Sequence, residues 1–266
     1  MQVENKQRII KNSLYLNLRM AIALLVSLYT SRVVLHVLGF SDFGIYNVVY
    51  GFVSMFMVLN SSIQTGTQRF LSFGIGKGNR EYLRKVFSNA LILHLFIAFL
   101  TFFLLETIGL WFAYHKLNIP EDRFEISMWV YQMVVIGSCI TIMGNPYQSV
   151  IISNERMGAY ALLSTLNIVL KLVVVFLISI MPFSHLLSYA LLLFIVTIII
   201  QALFAGYCIR NFPECKTSLQ LDRRVLLNLC AFSGWMIVGT TSNTLTTHGV
   251  NVLINIFFSP VFNASR

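Results

Sequence analysis

The chain has 266 residues, of which 57% are hydrophobic and 11% are charged, and its mean hydropathy is +0.75. Soluble domains carry about 25% charged residues, so this composition excludes a soluble globular protein and indicates an integral membrane protein. The formal net charge of +9 belongs mostly to one side of the predicted spans. Nucleic acid is therefore not expected as a partner.

Seven apolar stretches are long enough to cross a membrane, since a spanning helix needs about 20 mostly apolar residues. The first has a basic start like a signal peptide, but it is longer than such a peptide's apolar core and has no cleavage site of small residues. The seventh is long and has polar residues at its centre, so it is either broken or partly interfacial. The predicted spans are residues 14–38, 43–65, 86–114, 126–152, 158–181, 185–209 and 226–258.

Lys and Arg are distributed unevenly between the two ends of these spans. Thirteen of them fall on the side of the N-terminus and four on the other side, and such an excess marks the cytoplasmic face. We therefore predict a cytoplasmic N-terminus. The thirteen are Lys6, Arg8, Lys11, Arg69, Lys77, Arg80, Arg84, Lys85, Arg156, Arg210, Lys216, Arg223 and Arg224, and the four are Arg32, Lys116, Arg123 and Arg266.

The connections between the spans are short and leave no room for a soluble domain. The segment from Gly74 to Lys85 is rich in glycine but lacks the spacing of a phosphate-binding loop, so we predict a turn that leads into a basic helix start. Three of the four cysteines lie near the predicted cytoplasmic face, where thiols stay reduced, and none has metal-binding spacing. No disulfide, metal site or cofactor is expected.

A weak internal repeat relates the first and seventh predicted spans. Residues 34–41 read VLHVLGFS and residues 252–259 read VLINIFFS, so the end of the first span aligns with the end of the seventh. Six spans return a chain to the same side of the membrane. The seventh span would therefore begin a second, parallel copy of a six-span unit, as in many transporters.

Lys171 is the residue that fits a lipid environment least. It lies near the midpoint of the fifth predicted span, about 15 Å from either edge of the hydrocarbon, which is further than a lysine side chain reaches. A charge facing lipid at this depth costs on the order of 3 kcal/mol, so Lys171 is expected to face protein or water. Tyr160, Ser164, Asn167 and Lys171 form one polar stripe at helical spacing. Lys171 either lines a cavity and meets an anion, or pairs with a carboxylate or carbonyl that helps the helices pack.

Other polar side chains divide into candidate cavity residues and single packing contacts. Arg19 either faces a cavity or anchors the inner membrane boundary, and Glu106, the only acid within a predicted span, is a candidate for ion coupling. Pro146 is expected to break the fourth helix and form a hinge or cavity wall, although packing alone also explains it. His94 and Gln201 are expected to make interhelical hydrogen bonds. The candidate substrate-binding residues are Arg19, Arg32, Gln64, Asn145, Gln148, Asn167 and Lys171.

The sequence contains no nucleophile beside a base and no carboxylate pair at working spacing, so an enzyme is not expected.

Several segments together resemble a known family of exporters. They read GIYN at residues 44–47, LNSSIQTGTQRFLS at 59–72, GKGN at 76–79, ETIGLWF at 106–112 and PYQSVIISNERM at 146–157. Over essentially its whole length the sequence is similar to the polysaccharide and O-antigen flippases, which include bacterial lipopolysaccharide biosynthesis proteins. These belong to the multidrug/oligosaccharidyl-lipid/polysaccharide exporter superfamily.

The resemblance implies an all-α, polytopic transmembrane helix bundle in which two six-helix lobes surround a cavity that opens to alternate faces. Because the chain is shorter than complete members of the family, it is expected to be a fragment. Residues 1–209 would form the first lobe, residues 210–225 a cytoplasmic linker, and residues 226–266 the start of the second lobe.

The resemblance also implies a function. Family substrates are undecaprenyl-diphosphate-linked glycans, which move from the cytoplasmic to the outer leaflet of the bacterial inner membrane, and basic cavity residues would neutralise the diphosphate. Membrane lipids and other polysaccharide-assembly proteins are further expected partners. Two alternatives stay open: a cation-coupled multidrug exporter of the same superfamily, which should carry carboxylates within the membrane, and a non-transporting assembly protein. The short loops argue against a glycosyltransferase.

Overall fold

The computed structural model describes residues 2–115, 121–181, 184–216 and 219–244. Every regular element within these ranges is helical, which confirms the predicted all-α class. A π-helical turn, Leu105–Gly109, joins α2 to α3, and 3-10 turns at Ile178–Ile180 and Pro213–Lys216 follow α5 and α6. The α-helices are α1 Gln2–Gly76, α2 Arg80–Leu104, α3 Leu110–His115, α4 Glu121–Ser153, α5 Met157–Leu177, α6 His185–Asn211 and α7 Arg223–Thr244.

Helix α1 bends sharply at Gly39. Its backbone there has φ 76° and ψ 170°, a conformation that only glycine adopts readily. The apolar stretch Asn12–Ser54 has 43 residues and would be about 65 Å long as a straight helix, roughly twice the hydrocarbon thickness of a bilayer. The bend therefore divides α1 into a first arm, residues 2–38, and a second arm, residues 40–76.

Contacts show that the two arms cross the bundle in opposite directions. The beginning of the first arm and the end of the second arm both touch the turn between α4 and α5, whereas the bend touches the beginning of α4. The arms therefore correspond to the first two predicted spans. The contacts are a hydrogen bond from Asn12 Nδ2 to the Glu155 carbonyl (3.5 Å), one from Ser153 Oγ to the Gln68 carbonyl (3.1 Å), and an ion pair between Asp42 and Arg123 (3.5 Å).

The remaining spans lie close to their predicted positions. In the described part of the chain, five stretches are long and apolar enough to cross a membrane, and those that follow α1 match predicted spans three to six within a few residues. The seventh predicted span is helical up to Thr244, but it is not among the five, and residues 245–258 lie outside the described residues. The repeat segment 252–259 lies outside them as well. The five stretches are Asn12–Ser54, Arg80–His115, Asp122–Ser153, Met157–Leu177 and His185–Asn211.

The expected helix break at Pro146 is wrong, because α4 is helical from Glu121 to Ser153 without interruption. Proline removes one backbone donor, and membrane helices tolerate this loss when neighbouring helices support the turn. Pro146 and Asn145 are both buried, and the preceding Gly144 packs directly against Gln201 of α6. Packing against α6 thus keeps the helix continuous.

The predicted turn before α2 is confirmed. Gly78 has φ 64°, and the side chain of Asn79 accepts a hydrogen bond from the backbone N–H of Tyr82 (2.9 Å), which caps the helix. The segment before α7 lies against the same region of α2, because Asn89 Nδ2 donates to the Gln220 carbonyl (3.2 Å) and the Asp222 N–H donates to Asn89 Oδ1 (3.1 Å). The segments rich in Lys and Arg therefore meet at one end of the bundle, which we call the basic end.

A close contact at Gly109 gives a test of the fold. The Tyr131 hydroxyl donates to the Leu105 carbonyl (2.7 Å), and a Cβ added at Gly109 would collide with that hydroxyl. We expect Gly109→Ala to lower the free energy of unfolding by about 1–3 kcal/mol, because overpacking forces the buried tyrosine to move. Thermal unfolding in detergent measures this, with Gly206→Ala as the control because its Cβ would meet open space. Equal melting temperatures for the two variants would contradict the packing described.

Candidate functional site: a basic cavity within the bundle

A cavity of about 350 Å³ lies among α1, α4, α5 and α6. Its volume is within the range of pockets that bind small molecules or parts of larger ones. Each of the four helices contributes polar side chains to a wall that is otherwise apolar. The polar lining residues are Arg19, Tyr46, Tyr50, Ser54, Ser138, Thr141, Gln148, Tyr160, Ser164, Asn167, Lys171, Thr197 and Gln201.

The polar stripe predicted on the fifth span lines this cavity with all four of its members. Residues at intervals of four, seven and eleven positions share one face of a helix, and the rest of α5 is apolar apart from Thr165. Lys171 lies about 21 Å along the helix from Met157, well inside the apolar span. It is exposed rather than packed, so its ammonium group is accessible from the cavity. The members are Tyr160, Ser164, Asn167 and Lys171.

Arg19 enters the cavity from the first arm of α1, nearer the basic end. Its guanidinium carbon lies 5.1 Å from the centre of the Tyr160 ring, a cation–π distance. Its Nε is buried and has no hydrogen-bond partner among the described residues. Two positions were predicted for Arg19, in the cavity wall or at the inner membrane boundary. In the structure Arg19 lines the cavity.

Both charged side chains in the described part of the cavity lining are basic. Arg19 and Lys171 are the charged residues of the lining, and no Asp or Glu belongs to its described part. No carboxylate among the described residues lies within ion-pair distance of either side chain. Two cations held in partly desolvated surroundings without a counter-ion favour the binding of an anion.

Gln148 and Gln201 connect α4 to α6 across the cavity wall. Gln148 Nε2 donates to Gln201 Oε1 at 3.5 Å, which confirms the interhelical hydrogen bond predicted for Gln201. The corresponding prediction for His94 is wrong: its Nδ1 bonds the Ala90 carbonyl of its own helix (2.8 Å), and Nε2 is buried without a partner in the described residues. The fully buried ring reaches its own preceding turn before it reaches a neighbouring helix.

Four of the candidate residues lie outside this cavity. Arg32 is exposed, and it follows Arg19 by thirteen positions, which turn the helix by about 220° and put the two residues on roughly opposite sides of the first arm. Gln64 and Asn145 do not line the cavity, and Asn145 is buried between helices. Glu106 lies in the π-helical turn, where it accepts a hydrogen bond from Gln132 Nε2 (3.2 Å) on its Oε2. Substrate binding by Arg32, Gln64 and Asn145 and ion coupling by Glu106 stay predictions.

Several lining residues were not predicted from the sequence, although a signal for them exists. Tyr46, Tyr50 and Ser54 on α1 are four residues apart, as are Thr197 and Gln201 on α6. Each set is a polar stripe at helical spacing, like the one on α5. Hydroxyl side chains are common in spanning helices, however, because they bond the preceding carbonyls, so such stripes are noticed less readily than a lysine.

The chain matches solved structures of membrane transporters in fold. It superposes on an outward-facing multidrug resistance MATE family transporter of the MOP superfamily with a TM-score of 0.78 at 15% identity. It also superposes on a MATE transporter in its straight conformation with a TM-score of 0.78 at 16% identity. The chain has the fold of these transporters. In both comparisons 97% of the chain is covered, but only 58% of the transporter, as expected for one lobe of a two-lobe fold.

A third structural neighbour differs from the first two in its binding pocket. It is a MOP superfamily transporter from Pyrococcus furiosus, described as having a binding pocket of reverse polarity that suggests a different function. Its TM-score is 0.75 at 16% identity, and the match covers 96% of this chain and 57% of that one. No protein-family model and no curated protein sequence matches the chain. A fold of this kind does not by itself specify a function, which depends on the chemistry of the cavity.

Proposed function

We propose that the protein is a transporter that flips a lipid-diphosphate-linked oligosaccharide from the cytoplasmic to the outer leaflet of a bacterial inner membrane. The product would serve the biosynthesis of a surface polysaccharide such as the O-antigen of lipopolysaccharide. The observation that carries the proposal is the cavity containing Arg19 and Lys171 and, in its described part, no acidic side chain. The transporter fold and the sequence resemblance support it.

The electrostatics favour a diphosphate over other head groups. Two unit charges 4 Å apart interact by about 4 kcal/mol at an effective dielectric constant near 20, which is typical of partly exposed protein sites. A diphosphate carries at least two negative charges, so both Arg19 and Lys171 can contribute. Arginine forms bidentate bonds with phosphate oxygens, whereas lysine acts as a point charge.

The polar uncharged residues would contact the sugar or the rest of the head group. Gln148 and Asn167 both line the cavity and provide amide donors and acceptors. The polyprenyl chain would stay in the bilayer, because a volume of about 350 Å³ is too small for a long lipid tail. The chain spans about 58% of the length of the transporters whose fold it shares.

The second candidate is a cation-coupled multidrug exporter, because the structural neighbours include multidrug MATE transporters. A cationic drug would be repelled by the positive charges of Arg19 and Lys171, which disfavours this function. A strain lacking the gene distinguishes the two. We expect inner-leaflet lipid-linked glycan to accumulate while drug susceptibility is unchanged. The opposite pattern would favour drug export, and neither phenotype would favour a non-transporting assembly protein.

Glu106 is our candidate for coupling transport to an ion gradient. Its Oε2 accepts a hydrogen bond from Gln132, and its Oε1 is buried with no partner among the described residues. Acidic side chains within membrane spans commonly mark ion or proton pathways. We expect Glu106→Gln to slow glycan export at least about threefold and to make the remaining export insensitive to collapse of the proton gradient. Movement of lipid-linked glycan into the lumenal leaflet of inverted membrane vesicles, with and without a protonophore, measures this. Wild-type sensitivity in Glu106→Gln would exclude the coupling role.

A further inference from the structure

A second cavity, of about 410 Å³, lies on the other side of the α4–α6 pair. The first cavity is completed by α1 and α5, whereas this one is completed by α2 and by Leu219, just before α7. Gln201 lines both, so the α4–α6 contact at Gly144 separates them. We call the second cavity the outer groove. Its lining is Leu91, Ile92, Leu95, Ile140, Met143, Gly144, Tyr147, Ile198, Gln201, Ala202, Ala205 and Leu219.

The walls of the outer groove are mostly hydrocarbon and belong mostly to membrane-spanning helices. Leu95, Met143 and Ile198 are 52%, 44% and 42% exposed, so they face the surrounding bilayer rather than a protein core. Ala205 is six residues, or about 9 Å, from the end of α6, and Leu219 belongs to the segment that lies on the basic end. The groove therefore occupies the half of the membrane next to that end. A narrow apolar groove in this position accepts a flexible hydrocarbon chain, which recovers dispersion contacts that a void would forfeit.

The basic residue Arg84 lies between the outer groove and the basic end of the bundle. Arg84 precedes Leu91 and Leu95 by seven and eleven residues, so all three share one face of α2, and Arg84 lies about 10 Å nearer the basic end than Leu91. Arg84 is exposed and has no carboxylate partner among the described residues. The neighbouring Lys85, in contrast, is engaged by Glu81 (3.0 Å) and Asp222 (3.8 Å).

We propose that the outer groove binds one anionic glycerophospholipid of the surrounding membrane. An acyl chain lies among α2, α4 and α6, and the phosphate group lies against Arg84. Basic positions between spanning helices at a membrane face bind anionic head groups in this way. Charge complementarity decides the occupant, since a neutral hydrophobic molecule would make no use of Arg84. The proposal does not depend on which molecule the basic cavity transports.

The location of the site gives the bound lipid a structural consequence. Leu219 forms part of the groove, and the neighbouring Gln220 and Asp222 are bonded to Asn89 of α2. A chain in the groove therefore adds contacts to the segment that leads into α7. Bound lipid is expected to raise the melting temperature of the protein by mass action, because the unfolded chain has no such groove.

The test uses the purified full chain in detergent, titrated with phosphatidylglycerol or with phosphatidylcholine of the same acyl chains. Native mass spectrometry measures bound lipid, and thermal unfolding measures stabilisation. We expect phosphatidylglycerol to bind about fivefold more tightly, the contribution of one basic residue near a membrane surface. Arg84→Gln should abolish this preference, and Ala202→Phe, which fills the groove, should weaken the binding of both lipids.

Two control variants separate the site from general effects. Lys77→Gln removes an exposed cation of the basic end that lies 4.4 Å from the Phe73 ring, and Ala231→Phe adds the same bulk to an exposed position of α7. Both are expected to bind lipid like the wild-type chain. The proposal is overturned if the wild type binds both lipids equally, or if the preference survives Arg84→Gln. Because Arg84 is exposed, its variant tests the proposal even if Ala202→Phe fails to fold.

Discussion

Lys171→Gln, introduced into the gene in its own host, is expected to reduce export of surface polysaccharide at least about tenfold. The amount of the protein in the membrane should not change. Lys171 faces the cavity and has no carboxylate partner among the described residues, so its removal disrupts no ion pair there. The variant removes one positive charge that would attract a diphosphate. A loss of only about 1.4 kcal/mol of binding free energy already lowers the affinity tenfold. Quantitative immunoblots of surface polysaccharide and of the protein itself measure both quantities.

The matched control is Lys171→Arg, which keeps the positive charge on a side chain of similar length. We expect it to retain most of the export, because attraction of the anion requires charge more than it requires an ammonium group. Wild-type export by Lys171→Gln at normal abundance would show that Lys171 does not contact the transported anion.

Arg19→Gln is expected to have a comparable effect, with a reduction in export of at least about fivefold. Arg19 combines a positive charge with stacking on Tyr160 at 5.1 Å, so its guanidinium is held in place before the ligand arrives. Arg19→Lys should give an intermediate result, since lysine keeps the charge but loses the planar fork. The same immunoblot assay applies, with Lys77→Gln as the control because Lys77 lies outside the cavity.

The double variant of Arg19 and Lys171 tests whether the two residues act on one ligand. If both residues bind the same diphosphate, the loss of binding free energy in the double variant is expected to differ from the sum of the losses in the two single variants. Residues that share a partner behave in this way. Strictly independent effects would place the two cations at separate ligands.

The fold could be predicted from the sequence because its dominant signal is hydropathy. Uninterrupted apolar stretches bounded by Lys and Arg define spans with little dependence on tertiary contacts, and predicted spans three to six match the structure closely. The prediction failed at Pro146, where the local rule against proline in helices was overridden by packing of α4 against α6. Local propensity was the weaker influence there.

The site could be predicted only where a helix carried an unmistakable polar stripe. The stripe on α5 was identified because Lys171 interrupts an apolar run, and Arg19 and Gln148 were identified as charged or amide groups within spans. The mutual arrangement of helices determines the rest. Arg32 and Arg19 occupy the same arm of α1, and which of them faces the cavity depends on the rotation of that arm against α5, which one sequence does not specify.

Direct binding measurements on the purified protein test the central claim, that the basic cavity recognises a lipid diphosphate. A polyprenyl diphosphate, the matching neutral polyprenol and a cationic drug would each be titrated against the wild type and Lys171→Gln. We expect the diphosphate to bind the wild type at least about tenfold more tightly than the other two ligands and to lose most of this advantage in the variant. Tighter binding of the cationic drug, or equal affinity of the wild type and Lys171→Gln for the diphosphate, would contradict the account.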